Sequence, residues 1–403
     1  MISKEGVKYS LKNLNKNKGR SALTIFSILV GIATIFIFIS FGYGLYDYIE
    51  ELSSESSADK VLIMAKSAGG GPGVGSGTIT INDSDVDAVN KAPGVYEATG
   101  LYASAAEIKQ NGELKYVFLI SYDPKSDMIL DSFGVDAEEG RVLNPGDGKK
   151  VLLGYNYLIP NKIFPKQFKV NEKIEINGEE LRIIGFLEEI GNPQDDSQMY
   201  VTNEQYEEML PDANSYMQIF ARVDMKNIDK VVENIERNLR KSRDVEEGKE
   251  DFTVQSFNEL IEQFSGALNI VIGFVILIAL ISVLVSTINT ANTMITSVLE
   301  RYNEIGILKA VGAKNREIFD IFLFESSFLG LIAGTLGCFL GWALASLGGK
   351  ILDNLGWSFL QPHFSIYLFG GLILFAVVTG AISGALPAVR ASKINTVDAL
   401  RYE

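Results

Sequence analysis

Few side chains in this 403-residue chain are placed to make or break bonds. His363 is the sole histidine and Cys338 the sole cysteine, which rules out a disulfide or a cysteine metal cluster within the chain. The Gly/Pro/Ser stretch Gly69–Gly77 has the composition of a phosphate cradle. No Lys-Ser/Thr follows it and no strand–helix pair frames it, so it reads as a flexible loop. The acid pairs Glu188/Glu189 and Asp195/Asp196 could serve as hydrolytic carboxylates or cation ligands. Lacking ligand spacing, they read as neighbouring charges on a surface loop. Glu325 stands apart, because it lies about two turns inside an apolar run where a carboxylate is costly. No second titratable group accompanies it. An ion pair with Arg20 or Arg390 therefore explains it better than a proton relay.

The elements that would position these groups divide sharply. Mean hydropathy is only +0.15, yet four stretches reach the roughly 20 apolar residues needed to cross a bilayer. They lie at 22–45, 266–290, 319–347 and 364–386. The first has an apolar run too long for a cleaved leader and no small-x-small site after it, so it reads as an anchor. Between the first and second spans, residues 46–265 hold 41 Asp+Glu against 22 Lys+Arg, a balance of −19 that leaves +5 elsewhere. An acidic centre with basic flanks argues against nucleic acid and suits a membrane surface. Lys4, Lys8, Lys12, Lys16, Lys18 and Arg20 precede the first span. Arg301, Lys309, Lys314 and Arg316 lie between the second and third, and Arg390, Lys393 and Arg401 follow the fourth. The positive-inside rule then places both termini and the 297–318 loop in the cytoplasm and residues 46–265 outside. Within 1–21, Val7, Leu11 and Leu14 fall at helical spacing among lysines, predicting an amphipathic helix in the cytoplasmic interface. Residues 387–403 form a cytoplasmic tail.

Residues 46–265 read as an α+β domain. A short strand at Val61–Met64 precedes an N-cap cluster at Asn82–Ser84, a short helix with Val86 and Val89, and a stop at Pro93-Gly94. Strands follow near Glu97–Lys109 and Leu114–Ser121. From about 137 to 210 the texture becomes short strands and turns, including Asn177-Gly178. A strand at Met217–Val223, a helix at Ile228–Lys241 and a strand at Phe252–Gln255 close the domain. A strand–helix–strand unit at each end with a β-rich insert between them predicts a split βαβ unit carrying a second subdomain. With the only histidine outside it, no Ser-His-Asp relay can form there, and the domain reads as a binding and motion-transmitting module.

The 297–318 loop is the most informative segment. It reads Leu299-Glu-Arg-Tyr-Asn-Glu-Ile-Gly-Ile-Leu-Lys-Ala-Val-Gly-Ala-Lys-Asn-Arg-Glu-Ile-Phe319. Ile305, Leu308 and Gly312 share one helical face within a charged frame, a pattern that fits a groove on a partner. Loops seldom leave Ile305, Ile307, Leu308 and Val311 in water unless something covers them. The string from Glu300-Arg301 through Asn303–Ala313 resembles the coupling-helix signature of the MacB/LolC/FtsX permease family. Asn17–Ser21, Glu138–Arg141 with Leu152–Gly154, Glu325 with Gly330/Gly334/Gly337/Gly341, and Pro387–Lys393 through Asp398–Tyr402 are similar to further family motifs in the same order. The resemblance covers essentially the whole chain, with a MacB-like layout of four spans and one large outer domain.

The resemblance implies the permease subunit of an ABC transporter in the cell membrane. MacB carries a fused ATPase, whereas no G-x-x-x-x-G-K-[ST] occurs in these residues, so hydrolysis is expected in a separate subunit that binds ATP and Mg. The chain itself is expected to be non-catalytic, with no cofactor and no metal. Two copies, or this chain with a paralogue, would sit on two ATPases, with Arg301, Glu304, Ile305, Gly306, Leu308, Lys309 and Gly312 at the coupling contact and an extracytoplasmic adaptor or cargo outside. ATP-driven motion would pass through the second span to the outer domain, for export or extraction of cargo. An FtsX-like regulator that activates an extracytoplasmic hydrolase is the alternative. A secondary transporter is disfavoured, since the spans lack an ionisable or broken-helix midplane site.

Overall fold

The computed structural model describes residues 18–52, 58–66, 80–110, 112–211 and 215–401. The amphipathic segment expected before the first span lies, as far as residue 17, outside the described residues, as does Gly69–Gly77. The chain divides into two compact units.

The membrane unit comprises residues up to 45, 267–351 and 360–403. Its helices are α1 (Lys18–Leu52), α6 (Phe257–Glu300), α7 (Tyr302–Ala310), α8 (Asn315–Asn354), α9 (Ile366–Ser392) and α10 (Thr396–Arg401). Four of them, α1, α6, α8 and α9, are long and apolar enough to cross a membrane. Close packing of α8 follows from its glycines. Cβ atoms at Gly330 and Gly334 would strike Ala376 on α9, and at Gly337 and Gly341 they would press on Ile32 and Phe36 of α1. Small residues let backbones approach where lipid offers no hydrophobic drive. Threonine hydroxyls on α6 bond back to their own helix: Thr290 Oγ1 donates to the Ser286 carbonyl at 2.8 Å and Thr293 Oγ1 to that of Asn289 at 2.9 Å. Each donor is thereby satisfied within the helix. The fourth helix does not stop before Pro387, as its sequence suggests, but runs through it to Ser392. Burial of Ala388 and Ala391 in an apolar cluster offsets the hydrogen bond that the proline removes.

The second unit comprises residues 46–266 and 352–359. Its first sheet joins β1 (Lys60–Ala65), β2 (Val95–Leu101), β10 (Gln218–Val223) and β11 (Phe252–Ser256) in the order β11-β1-β10-β2, antiparallel throughout. Each outer strand is separated from its sequence neighbour by a strand of the other half, the split βαβ arrangement. Helices α2 (Asp83–Asn90) and α5 (Ile228–Arg243) pack on this sheet. A capping box starts α2, with the Asn82 side chain accepting from the helix and Asp85 Oδ2 accepting from Asn82 N at 2.9 Å. Val231, Ile235 and Leu239 of α5 recur at helical spacing and are buried. Arg243 ties both ends together, with Nη1 2.7 Å from Asp85 and Nη2 2.8 Å from Asp251.

The inserted subdomain begins earlier than residue 137. Strands β3 (Ala103–Gln110) and β4 (Glu113–Tyr122) leave the first sheet and join β5 (Ala137–Gly140), β6 (Lys150–Leu153), β7 (Lys173–Ile176), β8 (Glu179–Leu187) and β9 (Met199–Thr202). The order is β5-β8-β6-β9-β4-β3-β7, and β7 pairs back onto β8, closing a barrel of six strands with β5 on its flank. The boundary moved because β4 pairs in parallel with β9, about eighty residues on, a register that local pattern does not carry. Asn177 and Gly178 both have positive φ (49° and 84°), the tight turn that joins β7 to β8.

The acid pairs organise a loop of this barrel and do not lie idle on its surface. Asp196 is buried and accepts from the backbone N–H groups of Ile190 (2.7 Å) and Gly191 (3.1 Å). Burial pushes its carboxyl up to about 6 despite those donors. The segment 352–359 docks on this loop: Phe359 N donates to the Gly191 carbonyl at 3.3 Å and Ser358 Oγ to Glu189 at 3.0 Å. Among the described residues no group of three or more His, Cys, Asp or Glu could hold a metal ion.

Candidate functional site

The expected coupling segment is a two-turn helix, α7, held from beneath. Its start is fixed by Arg301, whose side chain turns away from water. Arg301 Nη1 lies 3.1 Å from Glu325 Oε2 on α8, and its guanidinium stands 5.0 Å over the Phe322 ring. Glu325 therefore pairs with Arg301, while Arg390 is exposed; the Arg20 side chain is not among those described. The sequence missed this pair because 24 residues and a change of helix separate its members.

The end of α7 is fixed by Gly312. At φ +110° it is the left-handed residue of a Schellman close, with Gly312 N donating to the Lys309 carbonyl (3.1 Å) and Ala313 N to that of Leu308 (3.0 Å). Lys309 reaches sideways to the chain's C-terminal segment, where Nζ donates to the carbonyls of Ser392 (2.9 Å) and Ile394 (2.6 Å). The Ser392 carbonyl ends α9, so the ammonium also sits at the negative pole of that helix. Gly306 is the contact point with α10, since a Cβ there would come within 2.6 Å of the Cβ of buried Ala399.

The apolar side chains of α7 face two ways. Ile305 is only 2% exposed and packs with Met294, Val298, Ile318, Phe322 and Ala388, and half-buried Leu308 packs against the same cluster. The expectation that Ile305 and Leu308 present themselves to a partner is corrected: at helical spacing they form the inner face, packed on this cluster. The outer face carries Ile307, 54% exposed, and Val311, 86% exposed. Asn303 and Glu304 flank these on the exposed side, with Glu304 3.7 Å from Arg301. Of the expected coupling residues, only Glu304 and Gly312 stay exposed. The others build the platform beneath.

Comparison with known proteins agrees with both units. Residues 21–238 match the family described as MacB-like periplasmic core domain, and residues 276–396 match FtsX-like permease C-terminal. An uncharacterized ABC transporter permease of Methanocaldococcus jannaschii is 32% identical over 399 residues, covering 98% of both chains. The chain belongs to the MacB/FtsX family of ABC transporter permeases. The uncharacterized ABC transporter permease YknZ of Bacillus subtilis is 26% identical and is covered over 99% of its length. The macrolide export ATP-binding/permease protein MacB of Marinobacter nauticus is 27% identical, but this chain spans only 61% of that protein. As a MacB/FtsX permease, the chain is an α-helical membrane protein with four transmembrane helices and an α+β outer domain. The exposed Ile307/Val311 pair lies inside the FtsX-like match.

Proposed function

We infer that this permease couples ATP hydrolysis by a cytoplasmic ATPase partner to movement of its outer domain, and so drives export or extraction of a cargo outside the membrane. The single observation that carries this reading is the outer face of α7. Two aliphatic side chains stand in the open on a helix whose inner face is locked by Ile305, Gly306, Arg301 and Lys309. An exposed apolar pair on a rigid base is what a groove in a partner would grip. Burying Ile307 and Val311 is worth about 1.5–3 kcal/mol each. That is of the order of the roughly 5.5 kcal/mol needed to swing a two-state element from 1:99 to 99:1. ATP and Mg stay with the partner.

Transmission runs through α6. Its 44 residues follow β11 without a break and end one residue before α7, giving a strut of about 66 Å at 1.5 Å per residue. Two copies on two ATPases would draw their α7 helices together as nucleotide binds, and each strut would pull on its own outer domain.

The test is capture of the ATPase from native membranes. Ile307→Asp with Val311→Asp should abolish co-purification of the ATPase while leaving the permease in the membrane at its normal level. Undiminished capture by that variant would remove α7 from the coupling contact.

A further inference from the structure

Residues 352–359 connect two membrane helices, α8 and α9, yet they belong to the outer unit. The residues that flank them, 267–351 and 360–403, belong to the membrane unit. Both units therefore hold this short connection, and they hold it differently. On the membrane side the backbone is fitted against its neighbours. His363 N donates to the Ser40 carbonyl of α1 at 2.9 Å. A Cβ at Gly44 would strike the Gln361 carbonyl, and one at Gly349 would lie 2.7 Å from Pro362 Cδ. Approaches this close leave the connection no room to slide at that end.

The grip within the outer unit is lighter. Phe359 N donates to the Gly191 carbonyl at 3.3 Å, beyond the usual range for such a bond. Ser358 Oγ donates to Glu189 Oε1 at 3.0 Å, and Glu189 is exposed. The Phe359 ring stands 5.0 Å from that of Tyr48 and 5.6 Å from that of Trp357. Of the eight residues only Gly356 is buried. The seat beneath them is firm. Asp196 holds the N–H groups of Ile190 and Gly191, Ser197 Oγ donates to the Pro193 carbonyl at 2.5 Å, and Asn156 Nδ2 donates to Ser197 Oγ at 2.8 Å. Gly191, at φ +86°, has no Cβ to press on Phe359 N, which would lie 3.2 Å from one. Water replaces exposed neutral hydrogen bonds at small cost, so under load this joint opens before either of the parts it joins.

We propose that segment 352–359 is a latch, seated on the 188–197 loop when the permease is at rest and released from it each time the outer domain is driven. Seated, it ties α8 and α9 to the barrel. Released, it lets the outer domain travel on α1 and α6 alone and then recaptures it. The latch rests on the ATP-driven motion inferred above and adds a holding point that α6 does not supply.

Reversible cross-linking of the full permease–ATPase complex in native membranes tests this. In a Cys338→Ala background, Glu189→Cys with Ser358→Cys is treated with a short bis-thiosulfonate that a reductant cleaves. Without nucleotide the two positions should link readily, and trapping the complex with ATP and vanadate should slow linking at least fivefold. Lys173→Cys with Glu180→Cys, whose parent side chains meet at 2.6 Å across the β7–β8 turn, should link at one rate in both states. Linked at 189 and 358, the complex should lose most of its ATP hydrolysis and regain it on reduction. A linking rate at 189 and 358 that ignores nucleotide, or hydrolysis undiminished by the link, would overturn the latch. ATPase capture on the same membranes separates the two readings. With capture intact, either negative result sinks the latch alone, whereas capture that survives Ile307→Asp with Val311→Asp sinks the coupling contact alone.

Discussion

Arg301 and Glu325 meet at 3.1 Å with their side chains only 5% and 4% exposed, which joins the end of α6 to α8 through a desolvated ion pair. Breaking a buried ion pair from one side costs about 3–5 kcal/mol, whereas an apolar pair of similar volume is often close to neutral. Glu325→Gln and Arg301→Met should therefore each lower the thermal stability of the purified permease markedly. The double variant Arg301→Met/Glu325→Leu should recover most of the loss. Single variants as stable as the parent would show that the pair holds nothing together.

Gly306 and Ala399 form a contact with no room for another methyl group, since a Cβ at position 306 would sit 2.6 Å from that of Ala399. Gly306→Ala should push α10 off α7 at about 1–3 kcal/mol. Ala399→Gly in the same chain should restore the fit. Protease cleavage after Arg401 or Lys393, faster in the single variant and normal in the double one, reads this out.

Lys309 holds the same C-terminal segment by two charged hydrogen bonds to carbonyls, at 2.9 and 2.6 Å. Each is worth about 1.5–3 kcal/mol when a charged donor is involved. Lys309→Met keeps the aliphatic stem and loses both bonds, so it should accelerate amide hydrogen exchange in α10 while leaving α5 of the outer domain unchanged. Lys309→Arg should fall between them.

Asp196 makes the outer domain sensitive to pH. Burial, aided by the charges of Glu189 and Asp195, raises its carboxyl to about 6, above the value near 4 of an unfolded chain. The folded state then holds the proton more tightly. Its stabilising contribution is complete below pH about 4 and is lost as pH rises through about 6. In a Trp342→Phe background, the emission of Trp357, which lies in the segment docked on the Asp196 loop, should change across that interval. Asp196→Asn should flatten the change; an unaltered transition in that variant would place the titrating group elsewhere.

Legibility followed the range of the interactions. The four spans, the helical face of α5, the Asn82 cap and the Asn177-Gly178 turn are written in windows of a few residues, because hydropathy, capping and turn chemistry act over that distance. The 137 boundary failed because β3 and β4 look alike in either sheet, and only pairing with β9 decides where they go. The face of α7 failed for a related reason. Ile305 and Ile307 are equally apolar as residues, and what separates 2% exposure from 54% is the cover given to one side only by Ile318 and Phe322 of α8 and Ala388 of α9, the last some eighty residues later in the chain.

The sequence by itself determined that this is a membrane permease with a large acidic outer domain and a short helix between its second and third spans, since length, hydropathy and motif order are properties of the chain read in a line. Only the tertiary structure decided which side chains of that helix face water, that Arg301 answers Glu325, and that segment 352–359 docks on the Asp196 loop. Those are matters of which surfaces are covered, and cover is supplied by segments far apart in sequence, whose approach depends on packing that no local pattern specifies.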